Sequence, residues 1–347
     1  VCWEISSAYV QCSALEVASG SSPISYGSAS QLSDSYYGYV HSLAAFDSSS
    51  AVLCYKSNTG SYGRCCVVTV SGTSLSYGSP LTFYSGTVGY TRPGQSWVSA
   101  LSELSAIVCI QANSHSSQTR CTLLLRESSA STSLVAAGSA DVNSNSGYDP
   151  SVSALGTYAA LVCYSDWNAA AGTCNRLRRN GDTLVVDDPV SVASSRVYTP
   201  SVAGLGGGVG LFCYDDYAGA GAECWPVLAA PNPPAPPLLP PPLPPAPPTP
   251  PPIAVDLSLQ RLGKVSLQEA SADFPMVARL NDTRAVACWV DTSSGSHLRC
   301  AVLTLQGGNA LVKAPTATVR SSSTMHPAVA GLTDEKAIVC WLDDANS

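Results

Sequence analysis

Charge is scarce in this sequence. Asp, Glu, Lys and Arg make up 12 % of its 347 residues, about half the usual share. The balance is acidic, at −7, and no basic block occurs, so the electrostatic footprint of a nucleic-acid binder is missing. No uninterrupted apolar run reaches the roughly 18 residues that a spanning helix needs. His41, His115, His297 and His326 are scattered, and no metal-spaced cluster forms around them. No G-x-S-x-G elbow, P-loop or dinucleotide fingerprint occurs. Low charge does not signal disorder here, because Val, Leu, Ala and Tyr are plentiful.

Cysteine and proline are abundant instead. Of 14 cysteines, twelve fall into six pairs spaced 10 to 12 residues apart. These are Cys2 and Cys12, Cys54 and Cys65, Cys109 and Cys121, Cys163 and Cys174, Cys213 and Cys224, and Cys288 and Cys300. Zinc sites favour knuckles of two to four intervening residues, and none is present. Regular pairs of this kind predict a disulfide framework, hence an oxidising, extracellular compartment and a secreted protein. The chain opens Val1-Cys2-Trp3, without a methionine or a signal-type segment, which reads as a mature or excised piece.

The first cysteines of successive pairs stand at 2, 54, 109, 163, 213 and 288, with a seventh at 340. The intervals are 52, 55, 54, 50, 75 and 52. The long interval contains a 22-residue proline-rich tract, residues 231–252, and without it the period is kept. Each unit shows the same parts. In the later units a proline (Pro150, Pro200, Pro275, Pro327) stands 13 residues before the first cysteine. A short alternating run follows, then a turn, a second run ending at cysteine-aromatic, a hairpin to the second cysteine, a third run and a weaker fourth. Four short strands per ~52 residues predict an all-β chain, a β-propeller of six to seven blades. β-Propeller repeats would span 1–230, a polyproline II insertion 231–252, and repeats continuing the same array 253–347.

Within a unit, the two cysteines sit on neighbouring antiparallel strands. The residue after the first is Trp3, Tyr55, Ile110, Tyr164, Tyr214, Trp289 or Trp341. Alternation puts the disulfide on one face and the large side chain on the other. Core packing accounts for those rings; a sugar-stacking platform is the alternative. Residues 1–36 read as the second to fourth strands of a unit, and 325–347 as the first and second of another. Cys66 and Cys340 are left over, and a buried thiol at Cys66, a Cys66–Cys340 bond and a bond to another chain all stay open.

Acidic residues recur three positions after the first cysteine at Asp166, Asp216, Asp291 and Asp343. Turn chemistry explains them; an ion site, a sugar ligand or a catalytic acid are the alternatives. Arg64, Arg120 and Arg299 precede the second cysteine and are read as structural, reaching the aspartate or lying on a ring. Asn281-Asp282-Thr283 is the one N-x-[ST] sequon and a candidate N-glycosylation site. No cofactor is called for.

The tract itself cannot form a helix or a central strand. It favours polyproline II, rising about 3.1 Å per residue. Its Ala-Pro, Thr-Pro and Pro-Pro dipeptides, set among cysteine-bearing β-repeats, resemble green-algal extracellular glycoproteins, in particular the mastigoneme-like proteins that build hair-like filaments on cilia. The resemblance implies hydroxylated, glycosylated prolines on a rigid rod, and a structural, non-enzymatic subunit that assembles with copies of itself or related chains at the cell or ciliary surface. The modified positions it implies are Pro231, Pro233, Pro234, Pro236, Pro237, Pro240, Pro241, Pro242, Pro244, Pro245, Pro247, Pro248, Pro250, Pro251 and Pro252, with Thr249 a lesser one. Leu238, Leu239 and Leu243 depart from that pattern and suggest a partly buried rod. A secreted carbohydrate-binding or glycan-cleaving β-propeller is the alternative function.

Overall fold

The structure, a computed structural model, describes residues 2–5, 9–16, 25–32, 41–57, 60–89, 97–144, 146–216, 221–229, 259–268, 271–307 and 310–343. The fold is all-β, and the described residues form antiparallel sheets in chain order. Three 3₁₀ turns, at Asn113–His115, Gly206–Gly208 and Thr292–Ser294, are the helical segments among the described residues.

Sheet I holds β1 (Cys2–Ile5), β2 (Tyr9–Cys12) and β5 (Ser30–Leu32), beside a short pair, β3 (Leu15–Glu16) and β4 (Ser25–Tyr26). Sheet II comprises β6 (His41–Ala45), β7 (Ser50–Lys56), β8 (Gly63–Ser71), β9 (Ser74–Tyr77) and β10 (Leu81–Tyr84). Sheet III has β11 (Val98–Ser102), β12 (Ser105–Ala112), β13 (Gln118–Leu125) and β14 (Val135–Asp141). Sheet IV has β15 (Gly147–Gly156), β16 (Ala159–Asp166), β17 (Ala171–Asn180), β18 (Thr183–Val186) and β19 (Val190–Ala193). Sheet V has β20 (Val197–Gly204), β21 (Val209–Asp216), β22 (Ala222–Ala229), β23 (Leu259–Arg261) and β24 (Val265–Gln268). Sheet VI has β25 (Ala272–Arg279), β26 (Arg284–Asp291), β27 (His297–Gln306), β28 (Ala310–Lys313) and β29 (Ala317–Arg320). Sheet VII is the hairpin of β30 (Thr324–Thr333) and β31 (Lys336–Asp343).

In sheets II, IV, V and VI the outermost position is split. Two short segments, such as β18 and β19, pair successively along one long strand, β17. The sequence suggests one weak fourth strand. A broken edge offers a shorter row of unpaired backbone groups to foreign strands.

The sheets stack face to face. Leu211, Cys213 and Cys224 of sheet V share a core with Ala287, Trp289 and Leu303 of sheet VI. Ile107, Cys109 and Cys121 of sheet III share one with Val162, Tyr164 and Leu177 of sheet IV. Both faces of the middle strands are therefore covered, and β12 is buried along its whole length. Period-2 alternation sends each cystine toward the next sheet and each following ring toward the preceding one. Cystine and ring thus meet in one core, as Cys213–Cys224 and Trp289 do, where sulfur–aromatic contact adds to burial.

The first strands of successive sheets are neighbours, and serine hydroxyls join them. Ala154 N donates to Ser99 Oγ (2.9 Å), Val202 N to Ser151 Oγ (3.1 Å), Gly204 N to Ser153 Oγ (2.8 Å) and Val277 N to Ser201 Oγ (3.0 Å). The approach is close: a Cβ on Gly204 would stand 1.8 Å from the Ala154 carbonyl oxygen.

The recurring proline does not precede the first strand but lies inside it. Pro150, Pro200, Pro275 and Pro327 sit at register shifts. The residues before them, Asp149, Thr199, Phe274 and His326, hold φ of 51°, 45°, 53° and 47°. A bulge accommodates proline because no ladder hydrogen bond is asked of it.

Candidate functional site

Six disulfides close the hairpins: Cys2–Cys12, Cys54–Cys65, Cys109–Cys121, Cys163–Cys174, Cys213–Cys224 and Cys288–Cys300. Each joins directly opposed residues, with Cα atoms 4.0–4.1 Å apart, the close spacing of a non-hydrogen-bonded pair. Cys66 is a buried free thiol, pushed up to about 12 by burial. Cys340 is free and exposed.

Asp166 and Asp291 serve their own hairpin loops, and Asp216 reaches the connection that leads into its sheet. Asp166 Oδ1 accepts from the backbone N of Asn168 and Ala169, both at 3.0 Å. Asp216 accepts from Ser195 Oγ at 2.8 Å. Asp291 caps the turn Thr292–Ser294. Its carboxylate accepts from Ser293 Oγ (2.6 Å), Ser294 Oγ (2.6 Å) and Gln268 Nε2 (2.5 Å), and pairs with Arg299 at 2.6 Å. Burial alone would raise this carboxyl. The bonds from Ser293, Ser294 and Gln268, with the Arg299 charge, outweigh it and hold the group well below the usual carboxylate range. The bonds of Asp166 and Asp291 to the backbone two and three residues on are Asx-type turn roles. The Asp343 side chain lies outside the described residues.

Arg299 thus reaches the aspartate across its hairpin, whereas Arg120 pairs with Asp141 of the fourth strand at 2.7 Å. Tyr55, Ile110, Tyr164, Tyr214 and Trp289 are buried in the cores. Tyr164 OH donates to Asn175 Oδ1 (3.1 Å) and Tyr214 OH to Glu223 Oε2 (2.9 Å). Burial pushes both phenols upward. Trp289 Nε1 donates to Gln268 Oε1 at 2.8 Å. These rings are packing elements and not a sugar platform.

The histidines lie apart. His115 stands near Tyr84 in sheet II's neighbourhood, His297 opposes Asp291 across β26 and β27, and His326 packs edge-on to Phe274. His41 opens β6. Among the described residues, no group of three or more His, Cys, Asp or Glu side chains has metal-site geometry.

Two surface regions have shape. A groove of about 640 Å³ lies where sheets III and IV meet, walled by Asn143, Ser144, Asp166, Thr173 and Ser191 over Tyr164. The adjacent Trp167 ring already carries Arg196 at 4.5 Å and Tyr148 at 4.7 Å. The second region surrounds the sequon. Asn281 Oδ1 accepts from Thr283 N (3.0 Å), Thr283 Oγ1 (3.3 Å) and Arg284 N (2.9 Å). A cleft of about 450 Å³ next to it is lined by Gly206, Leu228, Asp282, Thr283 and Leu305. Leu228 is next to the last residue of β22, so the sequon turn flanks the base of the proline-rich insertion.

That insertion leaves sheet V at Ala229 and re-enters at Leu259, and these two residues are direct register partners. In sheet IV the same connection is the two-residue turn Gly181-Asp182, with Gly181 at φ 61°, the left-handed conformation that tight hairpins need. Pro231 to Pro252, and Thr249, lie outside the described residues. The serine links between first strands and the Gln268 bridge from Trp289 to Asp291 were not legible in the sequence; serine is so frequent here that no spacing marked them.

No protein family matches the chain, and no curated protein matches it. Solved structures do. A Lactobacillus plantarum protein is similar over 85 % of this chain and 74 % of its own, at 8 % identity and a TM-score of 0.51. A Hadza microbial sialidase is similar over 86 % of this chain and 62 % of its own, at 8 % identity and a TM-score of 0.46. Likeness at such identity concerns the fold alone. The class defined here is an all-β protein of successive antiparallel sheets, six of which carry a cross-strand cystine.

Proposed function

We propose that this chain is a structural subunit of an extracellular glycoprotein filament of the mastigoneme-like kind. Its sheets form blades of a β-propeller array, and the insertion is a polyproline II rod that mediates assembly. The observation that carries the reading is the Ala229–Leu259 pairing. It lets a long proline-rich segment leave and rejoin one sheet where a two-residue turn would do. Six cystines support an oxidising, extracellular setting. Spending the recurring Asp, Arg and aromatic side chains on turns and cores also favours a scaffold. Hydroxylated, pentose-bearing prolines at 231–252 and an N-glycan on Asn281 complete the proposal.

Peptide mass spectrometry over 231–252, with electron microscopy of protein purified from its source, tests it. Pentose-bearing hydroxyproline and regular filaments are expected. Plain proline and discrete monomers at high concentration would refute it. The hydroxyl- and amide-walled groove beside Asp166 favours a second reading, a secreted carbohydrate-binding propeller. Glycan-array binding lost in Asp166→Ala would select that reading instead.

A further inference from the structure

The residue before the second cysteine is Arg64 in sheet II, Arg120 in sheet III, Glu223 in sheet V and Arg299 in sheet VI, whereas sheet IV has Thr173. Each stands opposite the residue that follows the first cysteine, as Thr173 does Tyr164 and Arg299 does Trp289. Three of the long side chains are spent on ion pairs: Arg120 with Asp141, Glu223 with Lys264 and Arg299 with Asp291. Threonine is too short to reach across in this way. The groove of about 640 Å³ opens at that place in sheet IV, lined by Thr173, Tyr164 and Asp166.

We propose that this groove binds an uncharged sugar, and that Asp166 and Thr173 set its specificity. The inference rests on the carbohydrate-binding reading above and names its ligand class. Two polar groups in the groove are left over. Thr173 is 5 % exposed, and its hydroxyl makes no hydrogen bond among the described residues. A buried hydroxyl in that state costs free energy that a ligand hydroxyl recovers. Asp166 Oδ1 is taken by the backbone N–H groups of Asn168 and Ala169. Its Oδ2 carries no hydrogen bond among the described residues, and the turn holds the carboxylate in place as an acceptor.

The walls select the ligand class. No Lys or Arg lines the groove. A carboxylate, sulfate or phosphate group would find no counter-charge there and would meet the Asp166 carboxylate instead. No aromatic face is open for stacking either. Tyr164 is buried, and the Trp167 ring carries Arg196 and Tyr148. The remaining walls, Asn143, Ser144 and Ser191, offer hydroxyl and amide groups. A compact, uncharged ligand rich in hydroxyls satisfies all of these, and a sugar is such a ligand. The volume lies within the roughly 300–1,000 Å³ usual for small-ligand sites.

The test titrates the full chain by calorimetry with glucose, galactose, mannose and arabinose, and with glucuronic and galacturonic acid. Binding of an uncharged sugar is expected, and its acid counterpart should bind more weakly. Thr173→Arg copies sheet VI, where Arg299 reaches Asp291, so the fold has room for it; the new guanidinium should take Asp166 and abolish binding with the thermal midpoint kept. Thr173→Val retains the shape and should weaken binding about fivefold, the worth of one ordinary hydrogen bond. Asp166→Asn keeps an oxygen for the turn and should narrow the preference against the acids. Sugar binding that survives Thr173→Arg, or acids bound as tightly as their uncharged counterparts, would overturn this inference and spare the carbohydrate-binding reading. If no sugar binds, in this panel or on a glycan array, both fall.

Discussion

Ala229 and Leu259 face each other across β22 and β23, although residues 230–258 lie between them in the chain. The insertion is thus an elaborated hairpin connection, and sheet V closes around its ends.

Replacing residues 230–258 by Asn-Gly should leave sheet V intact. A shorter loop costs less closure entropy, so stability should rise by about 2 kcal/mol, read from urea denaturation. The same variant should fail to form filaments. A loss of cooperative unfolding would mean that the segment belongs to the core.

Gly204→Ala sets a methyl group where the Ala154 carbonyl oxygen already stands. The first strands of sheets IV and V would have to part, breaking the Gly204 N–Ser153 Oγ bond. A loss of about 2–3 kcal/mol is expected, seen as a fall in the denaturation midpoint. Gly263→Ala, with open space around it, is the control and should be close to neutral.

Asp291→Asn should destabilise the protein at neutral pH, because it discards the charge that Arg299 and three side-chain donors hold in place. Asp291 has its folded-state value depressed. Its contribution is therefore complete above the ordinary carboxylate value of about 3.9. It is lost as pH falls from there toward the folded-state value. Wild-type and variant thermal midpoints should differ at pH 7 and converge as the pH drops below about 3.

Removing one cystine, Cys213→Ala with Cys224→Ala, should cost about 2–3 kcal/mol in chemical denaturation. Trp289→Ala, in the same core, should cost about 3–5 kcal/mol. Because cystine and ring share one core, the triple variant should lose less than the two costs added together.

The all-β character was legible in period-2 runs and turn punctuation, and the spacing of cysteines showed where hairpins lie. Alternation from Cys288 to Trp289 was enough to assign opposite faces, because successive strand residues cannot share one. The turn role of Asp291 followed from its place at a loop start. Other features were hidden. Pro150 looked like a boundary and is a bulge inside β15, since only the partner strand's register reveals an extra residue. Arg120 has no aspartate in its own hairpin and pairs with Asp141, its register partner on the fourth strand, which only the β13–β14 register reveals.

Sequence by itself determined the local facts: strands, hairpins, cysteine partners and the length of the insertion, because each depends on residues near one another along the chain. Tertiary structure alone decided which ring shares a core with which cystine and which serine meets the next first strand. Those depend on neighbours some fifty residues away, where periodicity names a face but not what will cover it.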